Sequence, residues 1–251
     1  MGRLVTLIGE SAKDWKVTPR VAWWIFWLPI LGAILVAAAR VNRHFYDLLT
    51  KEDGPIEWAQ FVCYAGASLI GFGVAVKRFQ AGHKWQSLLF LGFALASFFI
   101  AGEEIAWGQR IFGLQTPEEL REINHQGEIT VHNIRIIQDT FNVVLFLAGV
   151  FGMGSYFANR KYHFERRWDQ ANYLFVPPLF NISSYFILFS YKLLRFVFLR
   201  DSEFTITRYA EWPELCLAFA LLLFVWLNYR RLAAQEKPVI APAETGLKRA
   251  K

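Results

Sequence analysis

Six blocks of about 20 mainly apolar residues, separated by polar segments, constrain the fold of this 251-residue chain more than any other feature. A helix of about 20 residues spans the roughly 30 Å hydrocarbon core of a bilayer, and it satisfies its own backbone polar groups there. The sequence therefore predicts an all-α fold, a six-helix transmembrane bundle with short interfacial helices in the outer loops. The predicted spans are about 21–39, 58–76, 87–107, 139–158, 173–194 and 213–229.

The distribution of charge gives this bundle an orientation. With the N-terminus in the cytoplasm, 17 of the 27 Lys and Arg but only 6 of the 21 Asp and Glu fall in cytoplasmic segments, which makes the inside +11 and the outside −5. Short cytoplasmic loops of membrane proteins are rich in Lys and Arg. The pattern thus predicts a multi-pass inner (plasma) membrane protein with both ends inside. Anionic lipid headgroups account for the basic excess, so the expected partner is the bilayer and not a nucleic acid.

Three segments follow from these spans. Residues 1–20 form a basic cytoplasmic segment, residues 21–232 the six-span domain, and residues 233–251 a cytoplasmic tail whose composition predicts disorder. In the long outer loop, TPEEL at 116–120 has the pattern of a helix start with Thr116 as the N-cap. We expect this helix to run to about His125.

The strongest polar signal is GEEIAWGQRIFG at residues 102–113, where the third apolar block ends. Ionisable groups at membrane depth are costly, and they usually face the interior of the bundle and have a partner. In a continuous helix Glu103, Trp107 and Arg110 share one face, so we expect Glu103 to face inward and to pair with a cation. The alternative is that Glu103 and Glu104 only mark the outer membrane interface.

Three further polar stripes reach the same outer part of the bundle. They are Glu57, Gln60, Tyr64 and Ser68 at the start of the second span, His132, Arg135, Asp139 and Asn142 leading into the fourth, and Asn181, Ser184, Tyr191, Lys192 and Arg195 on the fifth. Carboxylates of the second and third spans should therefore meet cations of the fifth. Each stripe also has a structural interpretation, as hydrogen bonding between helices, an exposed helix face or snorkelling side chains.

Histidines at the outer face raise the possibility of a divalent metal. His125, His132 and Glu103 could supply the nitrogen and oxygen ligands that zinc accepts. No HExxH or comparable spacing occurs, so the sequence names no cofactor. His132 is equally a candidate general base, because a histidine titrates near neutral pH.

The stretches GEEIAWGQRIFG and NHQGEITVHN, within residues 102–133, resemble a group of uncharacterised bacterial polytopic membrane proteins that carry a similar EEI-x-WGQR sequence. This resemblance implies a membrane location and no particular activity. The glutamate pair is also similar to that of glutamate-type intramembrane proteases related to CAAX prenyl endopeptidases. There an arginine follows four residues after the second glutamate, whereas Arg110 follows six residues after Glu104, and no Phe-x-x-x-His element follows the glutamate pair.

Three classes of function are considered for these residues. The first is an enzyme that acts at the outer membrane face on a lipid, a lipid-linked sugar or a lipidated peptide. The catalytic candidates are Glu103, Glu104 and His132, and the substrate-binding candidates are Arg110, Lys192, Arg195, Glu57 and Asp139. The second class is a non-catalytic membrane subunit that anchors or assembles a membrane-protein partner. A transporter is the third class. Transporters favour polar groups near the membrane midplane and repeated halves, and the sequence shows neither.

Overall fold

The computed structural model describes residues 2–124, 128–131, 134–164, 174–198 and 204–235, and within them the chain is helical without β-strands. The long helices are α2 (Pro19–Ala39), α4 (Pro55–Gln80), α5 (Lys84–Glu104), α8 (Arg135–Tyr162), α9 (Ile182–Val197) and α11 (Glu211–Gln235). Shorter ones are α1 (Gly2–Asp14), α3 (Arg43–Thr50), α6 (Gln109–Phe112), α7 (Glu118–Ile123) and α10 (Phe204–Arg208). The predicted all-α fold class is thus confirmed.

Within the described residues, five helical segments are long and apolar enough to cross a membrane, as a multi-pass membrane protein requires. They are Pro19–Ala39, Arg43–Gln80, Lys84–Glu104, Ile137–Tyr162 and Ile206–Gln235. Each contains a continuous apolar window, of which only 22–44% is buried inside the protein. In a membrane protein, lipid tails are the natural surroundings for such side chains.

The fifth predicted span, 173–194, differs from the prediction. The helix there, α9, has 16 residues, which at 1.5 Å per residue is about 24 Å and shorter than the hydrocarbon core. Pro177 and Pro178 cause the late start, because proline lacks a backbone N–H and disfavours a helical residue before it. Pro178 is extended, and a 3-10 turn at Leu179–Asn181 leads into the helix.

The helices pack in the order α5, α4, α11, α9 and α8, each against the next, with α2 against α9 and α11. The core follows this row, from Val74 on α4 through Val225 on α11 to Leu188 on α9, all three of which are fully buried. Helix α1 lies on α2 and on the turn before α9, where Ser11 Oγ accepts a hydrogen bond of 2.9 Å from the Leu179 amide. Helices α5 and α8 therefore stand at the two ends of the row.

The α8–α9 contact depends on glycine. A Cβ atom at Gly152 would overlap the ring of Tyr185 on α9, whereas one at Gly154, on the same helix, would meet no heavy atom within 4 Å. We expect Gly152→Ala to destabilise the protein by about 1–3 kcal/mol, the usual cost of overpacking. Gly154→Ala is the matched control and should be neutral or stabilising by up to about 1 kcal/mol through helix propensity. Melting temperatures in detergent would check this, and equal values for the two variants would contradict it.

Candidate functional site

The third predicted span ends earlier than expected, and this changes the geometry of the glutamate pair. Helix α5 stops at Glu104, and Ala106, Trp107 and Gly108 follow in the left-handed region with φ of 46°, 53° and 75°. For a residue other than glycine this conformation is uncommon and costs free energy. The expectation that Glu103, Trp107 and Arg110 share one face of a continuous helix is therefore wrong, because the helix does not continue.

The left-handed turn brings Trp107 back against the end of α5. Its ring contacts Phe98 and Phe99 edge-on and covers Gly102, where a Cβ atom would lie 2.7 Å from the ring. Its indole N–H donates a hydrogen bond of 2.7 Å to Oε1 of Glu103. The turn thus replaces the helical i,i+4 contact by a direct bond between the tryptophan and the first glutamate.

Glu103 is buried, with 4% of its surface exposed. Besides the Trp107 indole, its carboxylate receives a hydrogen bond of 2.7 Å from the Val131 amide to Oε2. Both of these partners are N–H donors, which an ionised carboxylate with two acceptor oxygens matches. Glu103 is therefore buried where the sequence led us to expect an inward-facing carboxylate, and its pairing with a cation stays a prediction.

A cavity of about 370 Å³ lies next to this turn, at the end of the bundle where α4 and α11 begin and α5 and α9 end. Its polar lining in the described residues includes seven glutamates and three cations. They are Glu52, Glu57, Glu103, Glu104, Glu128, Glu211 and Glu214, with Lys192, Arg195 and Arg208. Phe99 and Ile100 of α5 and Ile137 and Phe141 of α8 add an apolar side.

Lys192 is the central cation of this cavity. Its side chain is 4% exposed, and its ammonium donates to Glu214 Oε1 at 2.8 Å and to Asn142 Oδ1 at 2.7 Å. The ammonium also lies 5.8 Å from the centroid of the Tyr191 ring, within the range of a cation–π contact. A buried charge requires such compensation, so Lys192 ties α8, α9 and α11 together at the cavity.

The other lining cations also have partners. Arg208 pairs with Glu52 at 3.6 Å and donates to the Thr50 carbonyl, and Arg195 donates to Thr207 Oγ1 at 3.1 Å. On the acidic side, Gln60 donates a hydrogen bond of 2.8 Å to Glu211 Oε2, and the Asp53 amide donates to Glu57.

Glu104 differs from these glutamates. Among the described residues it accepts no hydrogen bond and forms no ion pair, and its half-buried carboxylate lies within electrostatic range of Glu57, Glu103, Glu211 and Glu214. The carboxylate is therefore available to a molecule in the cavity. In the described part of the site, the two adjacent glutamates have different surroundings: Glu103 is bonded to the protein, and Glu104 is not.

The structure brings together five of the predicted site residues, since Glu57, Glu103, Glu104, Lys192 and Arg195 all line the cavity. Asp139 is exposed on α8 and is not part of the lining. Arg110 lies in the short helix α6, and its side chain is outside the described part, as are the residues His125 and His132. Asn181 and Ser184 are buried away from the cavity, where Asn181 donates to the Ala220 carbonyl as interhelical hydrogen bonding.

Of the three predicted metal ligands, only Glu103 lies in the described residues. Within the described ranges, no group of three or more His, Cys, Asp or Glu side chains has the spacing to hold a metal ion. Two of the predicted ligands, His125 and His132, lie outside those ranges.

Sequence reasoning missed Glu211 and Glu214, which face the glutamate pair from α11. The signal was present, because EWPE at 211–214 places two carboxylates at the start of the sixth apolar block. The capping of the loop helix was also predicted incorrectly. Helix α7 begins at Glu118 directly after Pro117 and without a side-chain cap, and Thr116 Oγ1 accepts a hydrogen bond from Gln109 Nε2 at 2.6 Å.

Comparisons of the chain with protein-family models, with curated proteins and with solved structures find no match.

Proposed function

We propose that the chain is an inner-membrane protein with six spans, in which α9 crosses the bilayer together with its preceding turn and both termini are cytoplasmic. The support is that Leu179, before α9, contacts Ser11 on the N-terminal helix, while Lys192 near its other end contacts Glu214 at the start of α11. These contacts link α9 to both ends of the bundle. The positive-inside distribution of charge gives the orientation, with the cavity on the extracytoplasmic side.

Reporter fusions test this topology. Fusions after Lys84 and Lys161 should report the cytoplasm, and fusions after Glu119 and Ser202 the opposite side. Six spans require all four results, because each fusion follows a different number of crossings. An external signal at Lys161, or a cytoplasmic one at Ser202, would contradict the six-span arrangement.

The cavity supports an enzyme that acts on the polar headgroup of a lipid, a lipid-linked molecule or a lipidated peptide. The observation that carries this proposal is the carboxylate of Glu104, which faces the cavity and has no hydrogen bond or ion pair among the described residues, whereas every cation in the described lining has a partner. Glu104 would serve as the general base, since a positioned carboxylate can take a proton from a hydroxyl, an amine or a water molecule.

The apolar side of the cavity explains why the substrate should be an amphiphile. Phe99 is 46% and Ile137 37% exposed, on helices α5 and α8, which pack mainly against α4 and α9 respectively. A chain of the outer leaflet could lie along these side chains while the headgroup occupies the polar part. A cavity with one apolar and one highly polar side therefore matches a molecule that has an apolar chain and a polar headgroup.

The charge of the cavity lining limits the chemical class of headgroup that could bind. Seven glutamates and three cations line the described cavity, and Lys192 and Arg208 are already paired with glutamates. An anionic group would meet repulsion there, whereas hydroxyl or amine groups would find acceptors. We therefore favour a hydroxyl- or amine-bearing headgroup over an anionic one.

Lipid mass spectrometry tests the enzyme proposal against a non-catalytic subunit. Membranes should be compared between cells that lack the gene, cells that carry it and cells that overproduce it. If the protein is an enzyme, one lipid or lipid-linked species should accumulate in the deletion strain and should fall when the wild-type gene is restored. Unchanged lipids, together with one membrane protein that copurifies in fixed ratio, would contradict the enzyme and favour the assembly subunit.

A further inference from the structure

Two residues of the EEIAWGQ stretch fasten a loop segment against the cavity. Gln109 accepts a hydrogen bond of 2.7 Å from the Ile129 amide through Oε1 and donates one of 2.6 Å to Thr116 Oγ1 through Nε2. Glu103 accepts from the Val131 amide at 2.7 Å. The segment Glu128–Val131 is thus held at two alternate backbone amides, and its Glu128 and Val131 line the cavity.

We propose that Glu103 and Gln109 are positioning residues that hold Glu128–Val131 as a wall of the cavity, while Glu104 is the glutamate that acts on the bound molecule. The inference that the wall matters for activity rests on the proposed function of the cavity. The fastening itself follows from the hydrogen bonds alone.

The chemistry of Glu103 supports this division. Its two oxygens face two N–H donors, the Trp107 indole and the Val131 amide. Glutamine has only one acceptor oxygen, and its NH₂ group would face one of these donors. Glu103→Gln should therefore loosen the wall, although the substitution keeps the shape of the side chain. A carboxylate held by two donors also has less freedom to take a proton than Glu104, which accepts no hydrogen bond from the described residues.

Gln109 acts at the other end of the segment. The side-chain amide of Gln109 can both accept and donate. Its Oε1 accepts a hydrogen bond from the backbone N–H of Ile129, and its Nε2 donates one to Thr116 Oγ1 in the loop before α7. Asn124, which follows α7, donates to the carbonyls of Glu128 and Thr130. The segment Glu128–Val131 is therefore hydrogen-bonded to Gln109 in α6 and to Asn124 after α7. Loss of the Gln109 amide would break the first of these connections.

Thiol labelling in the purified full-length protein tests the wall. A reporter cysteine at the cavity residue Ala210 (Ala210→Cys) is placed in a background with Cys63→Ala and Cys216→Ala, and its reaction rate with a cationic methanethiosulfonate reagent is measured. We expect Gln109→Met and Glu103→Gln each to raise the rate on the order of tenfold, the effect of losing one or two hydrogen bonds on an opening equilibrium. Thr116→Val, which removes only the far acceptor of Gln109, should raise it less.

Gln115→Met is the matched control, because Gln115 is exposed in the same loop; it should leave the rate unchanged. A labelling change in Gln109→Met at an unchanged melting temperature supports positioning over general stability. Wild-type rates in Gln109→Met, Glu103→Gln and Thr116→Val would overturn the inference. Such a result is separable from failure of the proposed enzyme, because labelling needs no substrate and the lipid comparison needs no cysteine.

Discussion

Replacing Glu104 with glutamine is expected to reduce the activity by a factor on the order of 100–10,000, the usual contribution of a general base, while the protein still inserts and purifies normally. Glutamine keeps the shape of the side chain and removes the proton acceptor. The described structure gives Glu104 no hydrogen bond to lose, and its neighbours Glu57, Glu211 and Glu214 are also carboxylates. Glutamine therefore breaks no bond of the described structure and places a neutral amide among these carboxylates, so the melting temperature should stay unchanged or rise.

The measurement is the lipid or lipid-linked species that responds to the gene, followed in a deletion strain complemented with each variant. Glu118→Gln is the matched control, since Glu118 is exposed on α7, and it should complement fully. Glu103→Gln should retain part of the activity, because it displaces a wall without removing the base. Full complementation by Glu104→Gln would show that Glu104 is not the base.

Replacing Lys192 with methionine is expected to destabilise the protein by about 3–5 kcal/mol, the usual cost of leaving one member of a buried ion pair without its partner. The remaining Glu214 lies in the same cavity as Glu104 and Glu211, and without the ammonium it loses its ion pair at 2.8 Å. Asn142 also loses its hydrogen bond. For a chain of this size the melting temperature should fall by on the order of 10 °C.

The double variant Lys192→Met with Glu214→Met distinguishes the effect of charge compensation from the effect of side-chain shape. Replacing both members of a buried pair by apolar residues is often neutral or stabilising, so the double variant should recover most of the loss. Arg160→Met is the control, because its pair with Glu10 is solvent-exposed, and exposed pairs contribute little. A double variant as unstable as Lys192→Met would mean that shape, and not charge compensation, explains the cost.

The sequence by itself determined the helices that can span a membrane. A membrane span depends on the length and composition of one continuous segment, and backbone hydrogen bonds within a helix are local. The blocks at 21–39, 58–76, 139–158 and 213–229 therefore lie in helices of the structure. The third and fifth blocks were the exceptions. Helix α5 ends at Glu104, before the predicted end at residue 107, and Pro177 and Pro178 shorten the helix of the fifth block.

The sequence also indicated that charged groups of several spans meet at one end of the bundle, since each stripe lies at the same end of its span. It did not indicate which groups pair. Lys192 was predicted to meet carboxylates of the second and third spans, yet Glu214 on α11 is its partner at 2.8 Å. The order α5, α4, α11, α9, α8 decides this, and helix order arises from side-chain packing between distant segments.

Only the tertiary structure separated the two adjacent glutamates. In the sequence they are equivalent carboxylates at the end of an apolar block, and a continuous helix would have placed Arg110 on the face of Glu103. Instead α5 ends at Glu104, and the left-handed turn at Ala106–Gly108 returns Trp107 to Glu103. The second bond of Glu103 comes from Val131, 28 residues further along the chain. Such a long-range contact has no local sequence signal, because it exists only once the loop is folded over the bundle.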